Sequence, residues 1–181
     1  MSDSLSGVWS AAVTPLHDDL TVDYAAMVAH YKWLLANGCD GVAVLGTTGE
    51  ANSFSVSERM GAIEAVASSS ISKDKIMIGT GCCALPDTIE LTRMALDAGF
   101  SQILMLPPFY YKSVGDDALF ACFDHVIQRI ADNRMRVVVY DFPTMTGLDI
   151  GTDLLVRLNQ TYPLTVVGVK DSSGDWDDMQ A

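Results

Sequence analysis

The sequence predicts an α/β fold of the (β/α)8 TIM-barrel type, with about six of the eight strands present. Three observations lead there. Apolar, β-branched-rich runs recur about every 30 residues, helical patterns fill the spaces between them, and that repeat suits a barrel of roughly 250 residues. Near-continuous apolar strands alternating with amphipathic helices require a parallel sheet with helices packed on it. The other fold of this kind, a doubly wound sheet, usually carries a glycine-rich phosphate turn after its first strand. Here the first strand leads into Thr14-Pro15-Leu16-His17-Asp18-Asp19 instead.

Each element has its own signal. The first strand is read at Val8 to Val13, and Met27, Tyr31, Leu34 and Leu35 then fall on one helical face that Asn37-Gly38 closes. The second strand, Val42 to Leu45, precedes the capping box Ser55-Val56-Ser57-Glu58, behind which Ile63, Val66 and Ala67 recur at helical spacing. After a third strand at Ile76 to Ile78, a helix covers about Asp87 to Ala98 and stops at Gly99. Further strands are read at Ile103 to Leu106, Val137 to Tyr140 and Leu164 to Val169. Ala36-Asn37-Gly38-Cys39-Asp40-Gly41 and Asp97-Ala98-Gly99-Phe100-Ser101-Gln102 echo one another two strand–helix units apart, each running from a helix end into a strand. Ser172-Ser173-Gly174-Asp175-Trp176-Asp177-Asp178 has the cap residues and acidic first turn of a helix about to start. Residues 1–181 are therefore expected to be a single domain, the N-terminal portion of a barrel whose two closing strands lie beyond it. Alone, that arc is expected to be unstable and inactive, because its outer strands would be open edges.

Composition narrows the function. The chain has 181 residues, is 49% hydrophobic and carries a formal net charge of -12, so nucleic acid and anionic membrane surfaces would repel it. Met1 to Gly7 is short and polar, and the apolar stretches are too short to span a bilayer, so a cytoplasmic setting is expected. Cys39, Cys82, Cys83 and Cys122 show no metal spacing and are read as reduced packing residues; His17, His30 and His125 are scattered. Neither a metal nor a cofactor is expected.

In a barrel the site lies at the C-terminal ends of the strands. Those ends carry Gly46-Thr47-Thr48-Gly49-Glu50, Pro107-Pro108-Phe109-Tyr110-Tyr111, Tyr140 and Lys170. Taken singly each has an ordinary reading: a turn, a strand stop, a packed phenol, a lysine that snorkels to solvent. Together they converge hydroxyls, phenols and an amine on one face. A desolvated lysine has a lowered pKa and can attack a ketone to form a Schiff base.

These residues resemble, in order and spacing, the dihydrodipicolinate synthase and N-acetylneuraminate lyase family of class I pyruvate-dependent aldolases, from about Gly7 to the end of the chain. The shared motifs are Gly-Thr-Thr-Gly-Glu, the Pro-Phe-Tyr-Tyr loop, Tyr140 two residues before Phe142-Pro143, and Val169-Lys170-Asp171. The resemblance implies a Schiff base between Lys170 and the keto carbon of pyruvate or another 2-oxo acid, with an aldehyde as the second substrate. It implies that Tyr140 shuttles protons and that Thr47 links Tyr140 to the loop tyrosine, Tyr110, which is usually donated to a neighbouring subunit. It implies that Thr48, with the backbone N–H groups of the turn including Gly49, holds the substrate carboxylate. A homo-oligomer, dimer or tetramer, is implied for the full-length protein.

The chain departs from the synthase branch at Met145, which stands where an arginine helps bind the carboxylate of the incoming semialdehyde. A methionine cannot pair with a carboxylate, so an aldolase or dehydratase of another 2-oxo acid is expected ahead of 4-hydroxy-tetrahydrodipicolinate synthase. Asp141, where asparagine is common, is expected to add negative charge near the site. A non-catalytic truncated product is the third alternative.

Overall fold

The structure, a computed structural model, describes residues 5–180. The first four residues of the polar N-terminal segment lie outside the described residues. Six parallel strands, β1 (Trp9–Ala11), β2 (Gly41–Val44), β3 (Ile76–Gly79), β4 (Gln102–Met105), β5 (Arg136–Asp141) and β6 (Val166–Asp171), pair strictly in chain order. The strands form a half-barrel with helices outside it, the α/β barrel arc that the sequence predicts.

Strand limits shift where pairing rather than apolarity decides them. β1 keeps only three residues, because its ladder with β2 covers Trp9 to Ala11, and Val8 and Val13 at the ends of the apolar run are exposed. β5 and β6 each run one residue past Tyr140 and Lys170, so these two residues sit inside paired strand rather than after it. The central strands are buried throughout, whereas most of β6 is not, since among the described residues it has a neighbour on one side only.

Helices α1 (Tyr24–Ala36), α2 (Val56–Ala67), α3 (Leu85–Asp97), α4 (Asp116–Ile130) and α6 (Thr152–Thr161) lie outside the sheet, with the short α5 (Pro143–Thr146) and α7 (Trp176–Met179) after β5 and β6. Asp23 caps α1 through a bond from the Ala26 N–H, and Ser55 and Glu58 close both halves of the capping box at α2. Gly38 and Gly99 have φ of 104° and 93°, so the echoed segments are two equivalent left-handed helix stops. α3 begins two residues before Asp87, with Pro86 in its first turn where the missing N–H costs nothing. No separate sequence signal had marked α4 or α6.

The strand faces separate two cores. Outward residues such as Val42, Ile76, Ile103 and Val137 pack under the helices with Tyr31, Phe100 and Phe123; each such buried aliphatic contributes roughly 1.5–3 kcal/mol. Inward residues Ala43, Met77, Leu104, Val138 and Tyr140 form a smaller layer with Trp9 and Phe142. Among the described residues no helix is long and apolar enough to cross a membrane.

All four cysteines are free thiols. Cys82 is buried and accepts a bond from Arg59 Nη1 at 2.9 Å, while Cys83 is exposed just past the end of β3 and is not the packing residue expected.

Candidate active site

β5 and β6 place the two residues of greatest chemical interest side by side. Tyr140 pairs with Lys170 in register, and the Lys170 Nζ stands 4.0 Å from the centroid of the Tyr140 ring. That pairing depends on a β-bulge. Val137 pairs with Val166 but Val138 pairs with Gly168, leaving Val167 as the extra residue. Side chains alternate along a strand, so one inserted residue turns every later side chain to the other face. Were Val167 to take a regular place opposite Val138, Lys170 would pair with Asp141 and point out with Val139 instead of in with Tyr140.

The same alternation corrects the expectation for Asp141. Its side chain faces away from Tyr140, is buried, and accepts the Ile150 N–H at 3.2 Å on the helix side. Its carboxyl therefore lies on the face opposite Lys170.

Tyr140 is 3% exposed and its ring stacks on Phe142, with centroids 5.8 Å apart. Its hydroxyl bonds Thr47 Oγ1 at 3.3 Å, across to the turn after β2. Burial pushes the Tyr140 phenol up, but hydrogen bonds with Thr47, Lys170 and Ser172, together with the Lys170 charge, outweigh burial and hold it below the usual tyrosine value. Lys170 and Thr47 are half-buried, so the cluster lies within reach of a small solute.

The turn that carries Thr47 is tightly built. Leu45 and Glu50 have φ of 58° and 53°, the left-handed region that non-glycine residues seldom adopt. Gly49 is required by space, since a Cβ there would lie 2.9 Å from the Ala12 carbonyl oxygen. Thr48 is exposed at the mouth and Gly49 is buried with its carbonyl accepting the Thr14 hydroxyl at 2.8 Å. Among the described residues, no acceptor takes the backbone N–H groups of Thr47, Thr48 or Gly49, whereas those of Glu50 and Ala51 close the turn onto Thr47 and Gly46.

Lys170, Tyr140 and Thr47 are thus brought together; Tyr110 and Met145 are not. Tyr110 is 72% exposed, edge-on to Tyr111, and makes no contact with Thr47 in this chain. Met145 is 61% exposed on α5. Lys112 joins their two loops by donating to the carbonyls of Phe109 and Thr146.

Reading strand ends by chemistry alone missed the ends of β1 and β3. Gly79 and Gly81 line the crevice between the turn and Tyr140, and a Cβ on Gly79 would fall 2.1 Å from the Leu45 carbonyl oxygen. The glycines of Gly79-Thr80-Gly81 were the available signal, two at the end of one strand. Arg59 holds this end from behind, donating to the Gly79 carbonyl at 2.9 Å.

The sequence profile of the dihydrodipicolinate synthetase family matches residues 4–181. An uncharacterized DapA-like lyase of Chloroflexus aurantiacus is 37% identical over 172 residues, which cover 94% of this chain and 57% of that one. Dihydrodipicolinate synthase from Agrobacterium tumefaciens superposes with a TM-score of 0.92 at 38% identity, over 96% of this chain and 61% of that one. The 2-keto 3-deoxygluconate aldolase of Picrophilus torridus superposes with a TM-score of 0.86 at 26% identity, over 95% and 60%. The chain thus spans less than two thirds of the length of these relatives.

Proposed function

Because the chain belongs to the dihydrodipicolinate synthetase family, we propose that its protein is a Schiff-base-forming lyase, of aldolase or dehydratase type, acting on pyruvate or another 2-oxo acid and an aldehyde. The observation that supports this best is the Lys170–Tyr140–Thr47 cluster: an amine 4.0 Å from the ring of a buried phenol that is itself bonded to a threonine hydroxyl.

In this reading the neutral Lys170 amine adds to the keto carbon of pyruvate or a related 2-oxo acid. The carbinolamine loses water once its hydroxyl is protonated, and the resulting iminium is an electron sink. Loss of a C3 proton then gives an enamine, which attacks the aldehyde carbon; protonation of the new alkoxide and hydrolysis of the iminium free Lys170. Cleavage is the same path reversed. Tyr140 is the group placed to give and take these protons, with Thr47 as its hydrogen-bond partner. The N–H groups of Thr47, Thr48 and Gly49 offer donors for the substrate carboxylate without a cation, which suits a chain of net charge -12. Tyr110, exposed on its loop, would serve a neighbouring copy in a homo-oligomer.

Met145 sets the second substrate. Its apolar side chain favours a neutral or hydroxylated aldehyde over one bearing a carboxylate. The alternative, 4-hydroxy-tetrahydrodipicolinate synthase, is supported by the closeness of the Agrobacterium synthase.

Borohydride trapping of the full-length protein with pyruvate tests the reading, with peptide mapping expected to find the adduct on Lys170. An adduct on Lys112 instead would refute it. A panel of aldehydes separates the two readings: aspartate semialdehyde as the best acceptor would establish the synthase, whereas Met145→Arg is expected to raise a low wild-type activity with that semialdehyde.

A further inference from the structure

We propose that Thr14 is a positioning residue for the Thr47–Tyr140 pair, acting by orienting the peptide unit whose N–H bonds the Thr47 carbonyl. The inference rests on the reading of Tyr140 and Thr47 as the proton-transfer pair. Thr14 follows β1, a strand with no group in the cluster, and lies 35 residues from its partner in sequence.

The connection runs through the peptide between Gly49 and Glu50. On one side its carbonyl accepts the buried Thr14 hydroxyl at 2.8 Å; on the other its N–H donates to the Thr47 carbonyl at 3.0 Å. A peptide is planar, so fixing its oxygen fixes the direction of its N–H, and bonds in series polarise one another. Rotation of this plane would release the Thr47 carbonyl and swing Thr47 Oγ1 away from Tyr140.

The turn needs such a hold. Leu45 and Glu50 both occupy the left-handed region, which costs about 1–2 kcal/mol each for non-glycine residues, and the N–H groups of Thr47, Thr48 and Gly49 take no acceptor among the described residues. Thr14 is 5% exposed, and Gly49 sits close enough that a Cβ on it would lie 3.3 Å from Thr14 Oγ1. The fully buried Tyr31 hydroxyl has no hydrogen-bond partner among the described residues, whereas the Thr14 hydroxyl donates to Gly49.

The test is the titration of Tyr140 in full-length protein labelled with ζ-13C tyrosine, its signal assigned by absence in Tyr140→Phe. The charged group facing Tyr140 from its neighbouring strand is Lys170, which all variants retain. Thr14→Val keeps the shape and removes the hydroxyl. It is expected to raise the Tyr140 titration midpoint by about 0.5–1 unit, the scale of one lost neutral hydrogen bond, and to lower kcat about 10-fold. Thr14→Ser is expected to titrate and turn over as wild type. If Thr14→Val does not fold, Thr14→Cys, with a weak thiol donor, is expected to show a smaller shift in the same direction. A wild-type titration in Thr14→Val, equal effects in Thr14→Val and Thr14→Ser, or failure of both Val and Cys variants to fold would overturn the proposal. Failure of wild type to trap pyruvate would overturn the Schiff-base reading alone, because the titration shift does not depend on turnover.

Discussion

Replacing Tyr140 by phenylalanine removes one oxygen and should separate chemistry from stability. The ring would keep its place between Phe142 and the Lys170 amine, so packing is conserved. What is lost is the hydrogen bond to Thr47, which at 3.3 Å is longer than the usual optimum for hydroxyl pairs, together with the interactions of the phenol oxygen with Lys170 and Ser172. A net cost at the lower end of about 0.5–1.5 kcal/mol in stability follows, since Thr47 is half-buried and its hydroxyl can turn to solvent. Loss of a positioned acid–base group should instead slow turnover by about 100-fold or more, or roughly 2.7 kcal/mol in the barrier. Steady-state kinetics with a 2-oxo acid and aldehyde, a thermal melt, and borohydride trapping would be run on the same protein. Trapping on Lys170 should persist while kcat collapses. Adding Thr47→Val to Tyr140→Phe should cost little more, because the pair works as a unit. A kcat loss under tenfold, or a double variant whose losses simply add, would refute the role given to Tyr140.

Four further outcomes are expected. The Tyr140 phenol is held below 10.0, so an activity that needs its proton should fall as pH rises through that lowered value, and Thr47→Val should move this alkaline limb of kcat upward; its contribution to stability builds as pH rises through the lowered value, is complete above the unfolded value and is lost as pH falls. Gly79→Ala should destabilise the protein and disrupt the Thr47 turn, because the new Cβ would meet the Leu45 carbonyl oxygen at 2.1 Å, a backbone atom, while Gly79 itself is held in the ladder opposite Leu104; a melt and Tyr140 titration within error of wild type would contradict this. Ser55→Ala should cost about 1 kcal/mol in a denaturant or thermal melt without changing kcat, since it removes half of a closed capping box at the start of α2. Deleting Val167 should leave Lys170 opposite Tyr140 and preserve trapping on it, because the residue lost is the one outside the ladder; loss of the Lys170 adduct from a folded deletion variant, read by mass spectrometry of the borohydride-treated protein, would contradict this.

Much of the architecture was legible in the chain because its causes are local. Capping residues at Ser55 and Glu58, left-handed stops at Gly38 and Gly99 and runs of β-branched residues act over a few positions, and they reappear as helix ends and strands at nearly the places they mark. The Thr-Thr turn, Tyr140 and Lys170 could be gathered from strand ends for the same reason: a parallel barrel sends every strand's C-terminus to one side. Sequence spacing could not say which face each side chain takes. Asp141 follows Tyr140 directly and looked like part of the site, yet strand alternation buries it on the helix side. Lys170 reaches Tyr140 only because Val167 is left out of the ladder, and that bulge is a property of how two strands pair, not of either strand alone. Thr14 likewise looked like the start of a loop until the fold set its hydroxyl against Gly49. The residue types and their chemistry were therefore set by the chain itself. Register, facing and the contacts between distant strand ends were decided by packing, because a hydrogen-bond ladder fixes its partners only once both strands are in place.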